Sequence, residues 1–233
     1  MGSTEEIRGV VMIDLNSYTK GGDKDGAKTE DYQTQMEKFG WRGPHMAAEA
    51  FMKFRDTSKD IGSTYWLNAG CGDGIESAHF KPLGVKKAVG LDYTADMLDM
   101  AAKLGFYEKT IQHDLNSPLS FVADSTFDLV TCLGVLTYIK PESGVLTEFC
   151  RVTKPGGLII MTHRIDVYDV HNWKAPIAEC VTSGLVEELS GPVVVKTAPT
   201  GYLPLHPQYK DILSHFIVWR RTDKAIKTNG EVN

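Results

Sequence analysis

The sequence has no apolar run approaching the roughly 18–20 residues that cross a bilayer; its densest stretch, Leu158-Ile159-Ile160-Met161, is strand-sized. The opening Met1-Gly2-Ser3-Thr4-Glu5-Glu6 lacks the basic and apolar regions of a secretory leader, and Glu6 stands where a myristoylation signal needs Ser or Thr. Cysteine is sparse. Cys71, Cys132, Cys150 and Cys180 form no Cys-x-x-Cys pair, which disfavours a structural zinc site and reads as reduced, buried thiols. No dense Lys/Arg run occurs, and the net charge is −5, so a polyphosphate partner such as nucleic acid is disfavoured. These absences imply a cytoplasmic protein without a membrane or nucleic-acid partner and without a metal, present as a monomer or homodimer.

What is present is ordinary globular material, 42% hydrophobic and 24% charged over 233 residues, enough for one large α/β domain. Residues 1–28 are polar and glycine-bearing and read as a flexible segment; 29–221 read as a single domain, with a helical cap over 29–60 and a core over 63–221; 222–233 read as a flexible tail. In the cap, one helix runs from Glu30 to Phe39 and ends at Gly40. A second opens with Pro44 and repeats Met46, Ala47, Ala50, Phe51 and Phe54 at helical spacing. Strands are expected at Thr64–Ala69, Lys87–Leu91, Lys109–Gln112, Phe127–Leu133, Gly157–His163, Val186–Thr197 and Ile212–Arg221. Helices are expected at Gly74–Lys81, Ala95–Leu104 with Thr94 as N-cap, Pro141–Val152, and Trp173–Ser183 with Asn172 as N-cap. The alternation predicts a Rossmann-like, seven-stranded, mostly parallel sheet with helices on both faces. No helix separates the last two strands. The final one, with Leu213, His215, Ile217 and Trp219 on one face, is expected to be an antiparallel edge.

The chemistry-bearing feature is Asn68-Ala69-Gly70-Cys71-Gly72-Asp73-Gly74, a tight turn between a strand and a helix. Glycines there permit positive φ and close approach of the backbone to a ligand, and a helix N-terminus directly after them would favour an anion. Asp92 ends the second strand, where a carboxylate can accept both hydroxyls of a ribose; Asp114 follows the third, where one can accept from an adenine amino group. A dinucleotide fingerprint would need a third small residue at position 75, and Ile75 is too bulky for that packing. The G-x-G-x-G spacing therefore favours S-adenosylmethionine over NAD.

These segments resemble the class I S-adenosylmethionine-dependent methyltransferases. Trp66–Gly74 looks like their glycine motif, Gly90–Leu98 their second motif, and Phe127–Val130 with Arg151–Gly157 the fourth strand and the approach to the fifth. More narrowly, Gly40-Trp41-Arg42-Gly43-Pro44, Gly105-Phe106-Tyr107 and Gly201–Pro207 are similar to the Williams-Beuren syndrome region methyltransferase-like proteins. The resemblance implies that Gly70, Cys71 and Gly72 pass beneath the methionine part of the cofactor and Asp92 holds the ribose. It also implies that Tyr93 and Met97 flank the adenine, that Asp114 and the Leu115 amide read its edge, and that the Leu133 carbonyl faces the ammonium. Tyr32 matches a cap tyrosine that closes over the cofactor, and S-adenosyl-L-homocysteine would be the product. Two departures stand out. Asn68 occupies a position that is usually acidic, so Asn68→Asp is expected to tighten cofactor binding. Gly26-Ala27-Lys28-Thr29 replaces a tryptophan-bearing stretch before Tyr32.

Methyl transfer from a sulfonium depends mainly on alignment and exclusion of water, so catalytic residues leave little trace in a sequence. The carboxyl ends of the later strands carry His163 and His206 as candidate bases, and Tyr138, Arg164, Tyr168, Tyr202 and Tyr209 as candidate substrate contacts. No Asp/Asn-Pro-Pro-Tyr/Phe follows the fourth strand and no Pro-Cys pair exists, which disfavours methylation of nucleobases. The reading is methylation of O, N or S on a small metabolite; a protein methyltransferase and a non-catalytic cofactor-binding protein are the alternatives.

Overall fold

The computed structural model describes residues 32–195 and 203–226. The segment 1–28, the helix start at Glu30, the strand end at Thr197, Tyr202 and the tail beyond 226 lie outside the described residues. Seven strands, β1 (Tyr65–Ala69), β2 (Lys87–Asp92), β3 (Lys109–Gln112), β4 (Phe127–Cys132), β5 (Thr153–Arg164), β6 (Val186–Val195) and β7 (Ser214–Arg221), form one sheet in the order β3-β2-β1-β4-β5-β7-β6. Strands β1 to β5 are parallel, and β7 runs antiparallel to both β5 and β6. The strand order reverses between β1 and β4, the position at which open α/β sheets leave a crevice for a ligand.

Apolar residues on both sheet faces hold the layers together. On one face Leu67, Val89, Val130, Phe149, Ile159 and Trp219 form a core with helices α5 (Val145–Val152) and α7 (Lys174–Thr182). On the other, Trp66, Ala88, Leu129, Ile160 and Val218 pack against Ala47, Ala50 and Phe51 of α2 (Gly43–Phe54) and against Phe80 and Phe106. Helix α1 (Tyr32–Lys38) buries Met36 against Leu203 and Tyr209, so the cap rests on the β6–β7 link. The remaining helices are α3 (Ser77–Phe80), α4 (Ala95–Lys103) and α6 (Ile165–Tyr168).

Three expectations require correction. First, β7 is not an edge: it inserts between β5 and β6, and Phe216, Ile217, Val218 and Trp219 are all buried, so both of its faces are covered. Second, no long helix follows the glycine turn. Gly74 has φ +90°, which a right-handed helix cannot contain, so α3 starts only at Ser77 and gives way to a 3-10 turn at Lys81–Leu83. A helix dipole of any size is therefore missing there. Third, Thr94 stands at the N-cap of α4 as expected but makes no side-chain cap bond, whereas Asn172 adopts φ +55° in a turn before α7, whose cap position is Trp173.

Trp219 is fully buried within this inserted strand, so Trp219→Ala is expected to cost about 3–5 kcal/mol in urea unfolding. Leu205→Ala, at a residue 65% exposed, is expected to stay within about 0.5 kcal/mol. A small effect at Trp219 would contradict the burial of β7 on both faces.

Candidate active site

The glycine turn is fastened to the neighbouring strand before anything binds. The Gly70 and Cys71 amides both donate to the Leu91 carbonyl, at 2.7 and 2.8 Å. Gly70 has φ +81°, and a Cβ there would lie 2.3 Å from Val135 Cγ2, so only glycine fits. Gly74 is equally confined, since a Cβ would come within 2.6 Å of Leu104 Cδ1. The close-packing glycine is thus residue 74. Ile75, the residue that argued against NAD, points instead into the cap cluster with Met36 and Tyr209.

The turn forms one wall of a cavity of about 310 Å3 at the carboxyl ends of β1, β2 and β4. Every expected cofactor residue except Asn68 lines it: Tyr32, Gly70, Cys71, Gly72, Asp92, Tyr93, Met97, Asp114, Leu115 and Leu133. At Gly72, with φ +53°, an added Cβ would meet nothing within 4 Å, so the backbone borders open space and a ligand can lie directly against it. Asp92 is held from both sides: Gly72 N–H donates to one carboxylate oxygen at 2.8 Å and Thr94 N–H to the other at 2.9 Å. Each oxygen keeps acceptor capacity for a hydroxyl. Tyr93 is 72% exposed beside it, an unshielded aromatic face. Asp114 accepts from the Asn116 amide and side chain, both at 2.9 Å. The Cys71 thiol is buried, and burial with the neighbouring Asp92 and Glu76 carboxylates pushes its pKa up, so it is no thiolate nucleophile.

Asn68 lies behind the wall, fully buried. Of its two amide orientations, the one that turns Nδ2 to Glu76 gives 3.2 Å to each carboxylate oxygen and leaves Oδ1 to accept from the Tyr107 hydroxyl at 3.0 Å. Thr131 Oγ1 donates to Glu76 Oε2 at 2.8 Å and accepts from Trp66 Nε1 at 3.0 Å. The Asn68 amide and the Thr131 hydroxyl then both donate to an ionised Glu76. The opposite orientation serves a protonated Glu76: its carboxyl donates to Thr131, Thr131 donates to Asn68 Oδ1 at 3.3 Å, and Asn68 Nδ2 donates to the Tyr107 oxygen at 3.0 Å. Burial raises the Glu76 pKa to about 8. This geometry overturns the expectation for Asn68→Asp, because a second carboxylate would stand against Glu76, where two like charges are costly.

Glu76 and Trp41 also line the cavity, and sequence reasoning passed over both. An acidic residue just beyond Gly74, in a chain lacking the usual one at 68, was the available signal for Glu76.

Tyr138 is the one described substrate candidate on the cavity wall. His163, Arg164, Tyr168 and Tyr209 gather elsewhere, around the end of β5. His163 is buried, donates from Nδ1 to the Arg164 carbonyl (2.8 Å), and packs its ring on Tyr168 and Trp173. Burial lowers its pKa to about 4, so it is neutral at ordinary pH. Arg164 is 2% exposed, forms a bidentate pair with Asp166 (2.6 and 3.1 Å) and lies over the Tyr209 ring. His206 is wedged between Phe39 and Tyr209, its Nδ1 accepting from the Gln208 amide at 3.1 Å. Among the described residues no group of His, Cys, Asp and Glu could hold a metal, and all four cysteines are free and buried.

The fold is that of the Rossmann-like methyltransferases, and residues 67–161 match the family described as "Methyltransferase domain". Among particular relatives, human methyltransferase-like protein 27 is 28% identical over 58% of this chain and 54% of its own length. The malonyl-[acyl-carrier protein] O-methyltransferase of Yersinia pestis is 34% identical over 41% of this chain and 35% of its own. The magnesium protoporphyrin IX methyltransferase of Synechocystis PCC 6803, solved with bound S-adenosylmethionine, superposes with a TM-score of 0.58 at 15% identity, covering 86% of this chain and 87% of that one. The chain spans about half or less of the length of the curated relatives it matches. S-adenosylmethionine is the cofactor of this class, and the open space at Gly72, the tethered Asp92 and the exposed Tyr93 ring fit it.

Two outcomes test this geometry. Gly70→Ala is expected to lose about 1–2 kcal/mol from its positive φ alone, plus the overlap with Val135; adding Val135→Ala should recover only the overlap part. For Glu76, the folded protein holds the proton up to about pH 8 while the unfolded chain releases it near 4.5, so stability falls as pH rises through that window. His163 has the opposite sign, adding stability as pH rises from about 4 to 6.5. Urea unfolding between about pH 6.5 and 8 therefore isolates Glu76, and Glu76→Gln should flatten the slope there; equal slopes in both proteins would contradict its burial.

Proposed function

We propose that this protein transfers the methyl group of S-adenosylmethionine to an O, N or S atom of a small metabolite in the cytoplasm. The observation that carries the reading is the convergence, in one cavity, of the glycine turn, the doubly tethered Asp92 and the exposed Tyr93 ring. The cofactor supplies a methyl group made electrophilic by the sulfonium. Gly70 and Gly72 would let the backbone lie against its methionine part, and the Leu133 carbonyl would accept from the ammonium. Asp92 would accept both ribose hydroxyls. Tyr93 and Met97 would cover the adenine, while Asp114 and the Leu115 amide would read its edge.

A small acceptor suits a cavity of about 310 Å3 whose lining includes the cap residues Tyr32 and Trp41. The name of the Yersinia protein specifies transfer to oxygen of a malonyl group carried on a protein, which supports oxygen as the acceptor atom. No helix among the described residues is long and apolar enough to cross a membrane, and four free thiols suit a reducing compartment. Tyr138 at the wall, Arg164, Tyr168 and Tyr209 beyond it, and Tyr202 are the proposed acceptor contacts. His163 and His206 are the proposed bases, needed only for an acceptor that is protonated at working pH.

Isothermal titration is expected to show binding of S-adenosylmethionine and of S-adenosylhomocysteine, and Asp92→Ala to weaken both by about 10- to 100-fold, the worth of hydrogen bonds to a charged group. Absence of binding by the unaltered protein would defeat the cofactor reading. With methyl-labelled cofactor and a metabolite extract, label is expected in small molecules; label only in protein would overturn the acceptor class. An unchanged pH profile of transfer in His163→Asn and His206→Asn would remove both from the chemistry.

A further inference from the structure

Glu76 is a carboxylate 1% exposed, on the wall of the same cavity as Gly70, Gly72 and Leu133, and its hydrogen-bond partners are all neutral. Among the described residues no Lys, Arg or His forms an ion pair with it. A buried carboxylate without a cation is costly, and proteins normally relieve that cost with a counter-ion or a proton. The other carboxylates lining the cavity are already served by backbone amides, Asp92 by Gly72 and Thr94 and Asp114 by Asn116. We infer that Glu76 is the counter-charge for the α-ammonium of the cofactor, and that Asn68 is the neutral partner which orients it. The inference rests on the reading of the cavity as a site for S-adenosylmethionine.

The surroundings of Glu76 support this assignment over a purely structural role. Glu76 lines the same cavity as the glycine turn and Leu133. Its two oxygens are held in position by Thr131 on β4 and Asn68 on β1, strands that flank the point where the sheet order reverses. The Asn68 amide can turn over to match either charge state, which an aspartate at 68 cannot do. Burial without a cation raises the Glu76 pKa to about 8, and an ammonium beside it would favour the ionised form.

The test uses the intact chain and three ligands measured by titration calorimetry. S-adenosylmethionine carries a sulfonium and an ammonium, S-adenosylhomocysteine only the ammonium, and methylthioadenosine neither. Glu76→Gln is expected to weaken the first two equally, by about 10- to 100-fold, and to leave methylthioadenosine unchanged. The double variant Asn68→Asp with Glu76→Gln, which moves the charge to the other strand while avoiding two adjacent carboxylates, is expected to regain most of the lost affinity. Asn68→Asp alone is expected to bind more weakly than the unaltered protein. Loss confined to S-adenosylmethionine would overturn the inference in favour of the sulfonium. Equal loss for all three ligands, or no loss for any, would overturn it in favour of a structural role, with the cofactor reading intact. Failure of the unaltered protein to bind any of the three would take down both.

Discussion

The Leu91 carbonyl, accepting at once from the Gly70 and Cys71 amides, is the constraint on which the site depends. Those two bonds turn the chain leaving β1 across the end of β2 instead of letting it run on, and only a glycine can take the φ of +81° this demands. The same turn brings Gly72 N–H to Asp92, so the carboxylate at the end of β2 is held by the loop of β1. Asp92 in turn holds the Thr94 amide and so sets the start of α4. One carbonyl therefore couples two strands, the glycine turn and the helix entry into a single wall.

Behind that wall the sheet buries polar chemistry where an apolar core would be cheaper. Trp66, Asn68, Thr131, Tyr107 and Glu76 form one hydrogen-bonded set between β1, β4 and the residues beyond α4. Each neutral member has its partners, which keeps the cost of burial moderate; the carboxylate alone lacks an opposite charge. Unequal satisfaction of this kind marks positions where a fold has accepted a local cost for the sake of a ligand. The group around His163 and Arg164 differs in this respect. Arg164 has Asp166, and His163 is kept neutral by its surroundings of Tyr168 and Trp173.

Most of the sheet was legible because period and punctuation agree along it. Lys109–Gln112 matched to the residue, and the other strands differed only at their ends, apart from β5, which starts four residues earlier at Thr153. The failures share one cause: a local signal was overruled by packing at a distance. Alternation along β7 suggested an exposed edge, yet β6 pairs with its far side and covers it. Thr94 takes the N-cap position of α4, but its backbone amide is held by Asp92 and its side chain makes no cap bond. The segment after the glycine turn has helical composition, but Gly74 is held at φ +90° with no room for a Cβ against Leu104.

By itself the sequence determined the Rossmann-like class, the glycine turn and the line of residues that face the cavity. Glycine placement, carboxylates at strand ends and apolar periodicity are local properties, read from neighbours in the chain. The tertiary structure decided what those residues mean to one another. Asn68 and Glu76 are separated by a turn with three positive-φ glycines, and no local rule places Glu76 back against β1 and β4. The missing charge at 68 was visible in the sequence; that a carboxylate eight residues on stands against it became visible only once the chain was folded, because charge acts through space and not along the chain.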